Sequence, residues 1–106
     1  MTAIHLIKND KGLPSIMPIG EQEGTGIYCN GYWRIATATA NKLIGKKIYF
    51  HKRKTDPSFF GGVIKCAVKV EQGKYKGRTI FIFKLDQACK GITTLPNGWA
   101  QEKKYV

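Results

Sequence analysis

The chain has 106 residues, of which 42% are hydrophobic, and 18 lysines and arginines against 7 acidic residues give it a formal net charge of +11. This length fits one domain and excludes a large multi-domain enzyme, and the hydrophobic content excludes a disordered basic tail. No apolar run approaches the roughly 18–20 residues of a membrane span, and the first residues lack the basic-then-apolar order of a signal peptide. We therefore predict one folded, basic domain in the cytoplasm, without a membrane partner.

The positive charge is concentrated in the second part of the chain. Residues 1–45 hold four basic against three acidic residues, so residues 46–106 carry fourteen against four, a surplus of +10. Such a surplus in a folded segment predicts an anionic partner, and nucleic acid is the commonest one. The alternative is a basic surface that serves solubility alone.

The N-terminal third predicts little regular structure before one clear strand. Residues 4–7 alternate apolar and polar side chains, and the rest of residues 1–26, with two prolines and several glycines, predicts a partly irregular segment. Residues 27–35 follow period two, which predicts a strand. The face that this strand should bury carries Ile27, Cys29, Trp33 and Ile35.

A short helix and a second strand are predicted next. Alanine and straight-chain residues dominate residues 38–44, with Thr37 as the expected N-cap and Gly45 as the end of the helix. Residues 46–53 again follow period two, so we expect Ile48 and Phe50 to be buried and His51 to lie on the opposite face.

The remaining chain predicts two further strands and another short helix. Residues 63–70 alternate apolar side chains with a basic outer face, residues 71–78 form a polar connection with two glycines, and residues 79–85 are rich in β-branched and aromatic side chains. Asp86 is the expected cap of a short helix that Gly91 ends, and the tail after it is irregular.

These elements predict a mainly β (α+β) fold. Short strands, two or three short helices and no βαβ rhythm favour a small, mostly antiparallel β-barrel that spans residues 1–106 as one domain. The odd number of cysteines, Cys29, Cys66 and Cys89, without a CxxC pair, predicts reduced and mostly buried thiols. His5 and His51 lie far apart in the sequence and without a metal-ligand spacing, so we predict no metal and no cofactor.

The stretch from residue 51 to residue 62 carries the densest set of polar groups. A basic run is joined by a turn to Ser58 and then to Gly61 and Gly62, whose amides beside cations would suit a phosphate. The alternative is that the two glycines shape a β-bulge or a bend. His51 is either a polar readout group or a structural hydrogen-bonding residue.

Exposed aromatic rings beside lysines could bind the bases of a nucleic acid. Trp33, Phe60 and Trp99 lie near strand ends or in loops, where a base could stack, although rings in a domain of this size also belong to the core. Residues 74–78, KYKGR, alternate cations around an aromatic and predict a phosphate-contacting loop, the alternative being a solvated hairpin tip.

Three short motifs follow one another between residues 31 and 64. They are GYWRI at residues 31–35, IYFH at residues 48–51 and GGVI at residues 61–64, with the short helix and Gly45 after the first. This order, over roughly residues 27–85, resembles PUA-like domains of the EVE and ASCH type. The stretch IYFHKRKTDPSFFGG at residues 48–62 also resembles a motif of small bacterial and phage proteins of uncharacterised function.

The resemblance implies a small β-barrel with a cleft that binds RNA or DNA and often receives a flipped or modified base. By position it implies that Trp33, His51, Ser58 and Phe60 line or border that cleft. The sequence departs from the EVE pattern where Gly45 is followed by Lys46 instead of aspartate.

We therefore predict a nucleic-acid-binding module with a basic rim and an aromatic cleft, with RNA and DNA both open. The cations expected to contact phosphates are Lys52, Arg53, Lys54, Lys74, Lys76 and Arg78. The rings expected to stack are Trp33, Phe60 and Trp99, and the groups expected to read polar atoms or approach the backbone are His51, Ser58, Gly61 and Gly62.

Two alternatives belong to other classes. The ASCH likeness implies a small hydrolase acting on a modified nucleoside or RNA, for which Lys54, Ser58, Glu71 and Glu102 are the candidate catalytic residues. No GxSxG, P-loop or GxGxxG motif supports an enzyme. The third hypothesis is a phage- or plasmid-type protein that binds an acidic protein partner.

Overall fold

The computed structural model describes residues 1–7, 17–18 and 26–106, and most of the predicted irregular N-terminal segment lies outside these residues. In the described part, seven strands form one sheet in the order β2-β3-β6-β5-β4-β1-β7. The strands are β1 (Ala3–Ile7), β2 (Met17–Pro18), β3 (Ile27–Trp33), β4 (Lys47–His51), β5 (Ser58–Lys69), β6 (Thr79–Leu85) and β7 (Lys103–Tyr105). One α-helix, α1 (Thr37–Lys42), and one 3₁₀ turn (Gln87–Cys89) complete the described elements.

The mainly β prediction is confirmed, but the predicted barrel is wrong. Strands β2 and β7 are the two ends of the described sheet and do not pair with each other. Strand β1 lies parallel to β4, and β7 pairs antiparallel with the other edge of β1. The last strand therefore widens the sheet on the side away from β3, and the sheet stays open.

The predicted strands of the central meander are confirmed, although β5 begins at Ser58, five residues before its predicted start, and β4 ends at His51, two residues before its predicted end. β4, β5 and β6 pair antiparallel in sequence order, as period-two segments joined by turns should. Ile48 and Phe50 are fully buried, as predicted, and Phe81 and Phe83 of β6 are buried beside them. These buried side chains belong to the hydrophobic core, which stabilises the sheet that carries the surface loops.

Two register shifts change which side chains face the core. The pairing of β3 with β6 shifts between Asn30 and Trp33, so both residues are buried although strict alternation would place them on opposite faces. Tyr28, which was predicted outside like Asn30, packs against the ring of Phe83. A second shift, in β5, turns Ala67 toward the core. An extra residue in one strand reverses the alternation between the residues before it and those after it.

The ends of several helices and strands differ from the prediction. Helix α1 begins at Thr37, but the preceding residue Ala36 is its N-cap and makes no side-chain cap bond. Asp86 does cap the 3₁₀ turn, because its carboxylate accepts from the Ala88 amide at 2.9 Å. The tail predicted to be irregular contains β7, which pairs with β1. Within residues 1–7, 17–18 and 26–106, no helix has the length and apolar character that a membrane crossing requires.

Candidate functional site

The connection between β5 and β6 forms a hairpin that carries much of the predicted phosphate-binding charge. The Val70 amide donates to the Arg78 carbonyl at 2.9 Å, and the Gly77 amide donates to the Val70 carbonyl at 2.8 Å. Gly73 and Gly77 have φ of +87° and +88°, which side-chain-bearing residues rarely adopt, so these glycines permit the tight turn. Lys74 and Lys76 are exposed at the tip of the hairpin.

A pair of tyrosines joins this hairpin to β3. The rings of Tyr32 and Tyr75 stack with centroids 4.2 Å apart and planes 10° apart. They meet because β3 pairs with β6, with Trp33 opposite Thr79 at the base of the hairpin. The Arg78 guanidinium donates to the Tyr32 carbonyl at 3.3 Å, which fixes that cation beside the stacked rings.

Cations surround the stacked rings. The Lys74 ammonium lies 5.4 Å from the centroid of the Tyr75 ring, and the Arg78 guanidinium carbon lies 6.0 Å from it. Both distances are within the range of cation–π attraction. The ring therefore helps to hold two positive charges at one place on the surface.

An open depression lies at this corner of the molecule. It has a volume of about 470 Å³ and is lined by Arg34, Ile35, Lys74, Lys76, Gly77 and Arg78. Four of these six residues are cationic and none is acidic. A concave surface lined by positive charges attracts anions. Phosphate groups suit this depression because they are negatively charged and accept hydrogen bonds from lysine and arginine side chains. We call the tyrosine pair and these four cations, Tyr32, Tyr75, Arg34, Lys74, Lys76 and Arg78, the hairpin patch.

The second predicted basic segment lies elsewhere. Lys52, Arg53 and Lys54 are exposed in the turn between β4 and β5, at the opposite end of β5 from the hairpin patch. Arg53 is paired with Asp56, its Nε donating to the carboxylate at 3.1 Å. The structure thus separates the predicted phosphate contacts into two groups at the two ends of a 12-residue strand.

The glycine pair of β5 is a packing feature. Gly61 and Gly62 are buried, and a Cβ on Gly62 would collide with the carbonyl oxygen of Lys84 in the neighbouring strand. A Cβ on Gly61 would collide with the Ile48 carbonyl oxygen on the other side. Close approach of the sheet backbone explains the two glycines, and their buried position offers no surface to a phosphate.

Ser58 is buried and uses both of its hydrogen-bonding functions. Its hydroxyl donates to the Cys89 carbonyl at 2.6 Å and accepts from the Ile92 amide at 2.9 Å. These bonds tie the start of β5 to the segment that follows the 3₁₀ turn. The arrangement gives Ser58 a structural role.

Replacing Ser58 with alanine should lower the free energy of unfolding by roughly 1–3 kcal/mol, because two buried backbone groups would lose their partner. Urea unfolding followed by tryptophan fluorescence measures this change, and Thr55→Ala in the exposed turn is the matched control, expected within about 0.5 kcal/mol of wild type. A Ser58→Ala protein as stable as the control would contradict the structural role.

His51 is fully buried and bonded to the histidine at the other end of the chain. His5 Nδ1 lies 2.7 Å from His51 Nε2, and His51 Nδ1 lies 2.9 Å from the Asp56 carbonyl oxygen. Because a carbonyl only accepts, His51 Nδ1 carries a proton, and in the neutral pair His5 Nδ1 donates to His51 Nε2. Both ring nitrogens of His51 therefore have partners within the protein, and one of these partners comes from β1.

The parallel pairing of β1 with β4 explains this contact. Ile7 lies opposite His51 and His5 opposite Tyr49, so the two imidazoles are diagonal neighbours on one face. The ring of His5 also stacks on that of Tyr49 at 4.6 Å. Among the described residues, no third His, Cys, Asp or Glu joins a group that could hold a metal ion.

Burial governs the protonation of His5. Desolvation, with the neighbouring His51 and Lys104 acting in the same direction, lowers the pKa of His5 from 6.5 to about 4. Lys104 is itself buried and donates to the Leu95 carbonyl at 2.7 Å. His5 is therefore neutral at physiological pH, and its bond to His51 joins β1 to β4.

The aromatic residues predicted to stack on bases occupy three separate places. Trp33 is 5% exposed, and its indole nitrogen donates to Asn30 at 2.9 Å. Phe60 packs edge-on against Tyr28, with the Lys90 ammonium 5.5 Å from its ring centroid. Trp99 packs against His5 and His51, and its buried indole nitrogen has no hydrogen-bond partner within the described part of the chain. The described structure does not bring these three rings together into one cleft.

The candidate catalytic residues are also dispersed. Glu71 follows the far end of β5, whereas Ser58 begins that strand. Glu102 lies next to Ile7 of β1, because its carbonyl accepts from the Ile7 amide at 2.8 Å. Strands β1 and β4 stand between Glu102 and Ser58, a separation of roughly 14 Å at about 4.8 Å per strand spacing. Lys54 is exposed in the turn before Ser58.

Sequence reasoning did not place Tyr32, Tyr75 and Arg34 in the predicted site. The signal for Tyr75 was the alternation of cations around it in the KYKGR segment. Tyr32 is one of several rings that the sequence places near strand ends, where a base could stack, and Arg34 had no local signal. The place of both residues beside the hairpin depends on the pairing of β3 with β6. Comparison with protein-family models, with curated proteins and with solved structures finds no match to this chain.

Proposed function

We propose that this protein binds nucleic acid through the hairpin patch. The observation that supports this function is the convergence of Arg34, Lys74, Lys76 and Arg78 on one depression beside a stacked tyrosine pair. Cations supply the phosphate contacts that dominate nucleic-acid affinity, and aromatic rings supply stacking surface for bases. The net charge of +11 adds long-range attraction for a polyanion.

The other basic turn is a weaker candidate for the same role. Beside Lys52 and Lys54, the guanidinium of Arg53 is already paired with Asp56, and His51 and Ser58 are buried. Among the described residues, no aromatic ring lies against Lys52, Arg53 or Lys54 in the way that Tyr75 lies against Lys74 and Arg78. We therefore assign the phosphate contacts to Lys74, Lys76 and Arg78 and treat the turn at residues 52–54 as a comparison surface.

The likeness to PUA-like domains supports the same class of partner. It rests on the motifs at residues 31–35, 48–51 and 61–64, which surround the core of the sheet. We extend the proposal to a PUA-like relationship in which RNA and DNA are both candidate ligands. The surface that we assign is the hairpin patch instead of a cleft at Trp33, His51 and Phe60.

The double variant Lys74→Ala/Lys76→Ala should bind labelled oligonucleotides roughly tenfold or more weakly than wild type. Its plot of log affinity against log salt should be shallower by about 1.5–2, since each phosphate-contacting lysine contributes about one unit or slightly less. Fluorescence anisotropy across a salt series, with single- and double-stranded RNA and DNA, measures both quantities.

Lys52→Ala/Lys54→Ala is the matched control, because it removes the same charge from the opposite end of β5. We expect its affinity to fall less than about twofold, with a nearly unchanged salt slope. Equal weakening by the two double variants would show that only net charge matters and would overturn the assigned surface. A wild-type protein that binds no oligonucleotide at low salt would overturn the proposed function itself.

A further inference from the structure

A second depression adjoins the first at the hairpin tip. This depression has a volume of about 510 Å³ and is lined by Lys69, Val70, Glu71, Lys76 and Gly77. Lys76 and Gly77 also line the first depression, so the two concavities meet at these residues. A ligand that fills both must cross the hairpin tip there.

The two glycines of the hairpin tip face open space. A Cβ built on Gly73 or Gly77 would meet no atom of the described residues within 4 Å. Lys69 continues the positive charge away from the tip toward α1, where its ammonium donates to the Thr37 hydroxyl at 3.3 Å. Cations therefore line both depressions and the tip where they meet.

A flexible strand can reach all of these cations. A single strand can turn at each nucleotide and so can place successive phosphates on Lys74, Lys76 and Lys69. A duplex has a persistence length of about 50 nm and resists such local turns.

The stacked rings favour the same kind of ligand. Bases in a duplex are stacked on one another and present only their edges, so a duplex leaves a tyrosine face unused. An unpaired base can extend the stack that Tyr32 and Tyr75 have begun, and every base has the flat face that this requires. The cations near Tyr75 would hold the adjoining phosphate.

We infer that the ligand of this protein is single-stranded nucleic acid that crosses the hairpin tip, with phosphates on Lys74 and Lys76 and one base stacked on the Tyr32–Tyr75 pair. This inference rests on the proposed function and narrows the ligand to single-stranded nucleic acid. The contacts are independent of base identity, so binding should depend weakly on sequence.

The test measures anisotropy of a labelled single strand of about 12 nucleotides, a length within the range of known single-strand sites. Its blunt duplex and the same strand with abasic positions at its centre are measured at matched salt. Wild type should bind the single strand at least about tenfold more tightly than the duplex. The abasic strand should bind at least about fivefold more weakly than the intact strand, because it cannot stack.

Tyr75→Leu and Tyr75→Phe separate stacking from charge. Tyr75→Leu should lose at least about fivefold on the intact single strand, and it should lose little on the duplex or the abasic strand. Tyr75→Phe keeps the ring and should stay close to wild type on all three probes. Thermal unfolding of both variants checks that the hairpin change leaves the fold intact.

The possible results distinguish the inference from the proposed function. The single-strand inference is overturned, and the nucleic-acid function stands, if duplex and single strand bind with equal affinity, Tyr75→Leu changes neither affinity, and Lys74→Ala/Lys76→Ala weakens both. Absence of binding to every probe at low salt overturns both. Loss of single-strand binding in Tyr75→Phe equal to that in Tyr75→Leu would also contradict stacking.

Discussion

Gly62→Ala should destabilise the domain by roughly 3 kcal/mol or more, a large part of the roughly 5–15 kcal/mol that stabilises an ordinary domain. The added methyl group would collide with the Lys84 carbonyl oxygen, and it would lie 3.1 Å from Cδ2 of Phe83. Gly62 pairs with Ile48 on one side and with Leu85 on the other, so neither neighbouring strand can withdraw without breaking the sheet. Urea unfolding, or expression in the soluble fraction, measures the effect.

Gly73→Ala is the control for this prediction. Gly73 has φ of +87° but open space around it, so alanine there costs only the backbone strain of about 1 kcal/mol. The two variants add the same methyl group and differ in the atoms that it meets. A stable Gly62→Ala protein that has lost nucleic-acid binding would contradict the packing role and would restore the predicted phosphate contact at this glycine.

Acidification from pH 6.5 to pH 4 should remove about 3 kcal/mol of stability through His5 alone. Burial lowers the pKa of His5 to about 4, against 6.5 for the free side chain, and each pKa unit corresponds to about 1.4 kcal/mol. The unfolded chain binds the proton more tightly, so this stability is complete above pH 6.5 and is lost as the pH falls toward 4. Urea unfolding at intervals across this range measures the loss.

His5→Asn separates this effect from general acid denaturation. The asparagine amide can donate to His51 Nε2 from the place of His5 Nδ1, but it does not titrate. We expect the variant to be less stable than wild type at pH 7 and to lose less stability between pH 6.5 and pH 4. Parallel loss in the two proteins would contradict the assignment of this pH dependence to His5. Charge repulsion from the other basic residues acts on both proteins alike.

Much of the strand structure could be predicted from local pattern. Ile48 and Phe50 alternate with polar neighbours and are buried as expected, and residues 79–85 form β6 at the predicted bounds. The Asp86 cap was also predictable, because a carboxylate needs only the amide two residues later. These features depend on contacts within a few residues, and the sequence contains all of that information.

The failures of sequence reasoning share one physical cause. The burial of Asn30 follows a register shift against β6, and the short strand β7 exists because β1 offers it an edge. Period-two patterns give the face of a strand only while the pairing stays regular. A single shift, set by packing elsewhere, reverses the alternation between the residues on its two sides, as it does for Asn30 and Trp33.

The candidate site likewise combines features that the sequence determines with features that only the tertiary structure determines. Sequence alone determined that the chain is a strongly basic, mainly β domain and that cations surround Tyr75 in the KYKGR segment. Only the tertiary structure decided that Tyr32 and Arg34 join that segment, that the second basic turn stands at the other end of β5, and that His5 bonds to His51. The reason is that hydrophobic periodicity and charge are local properties of the chain, whereas strand order and pairing depend on which distant segments bury their surfaces together.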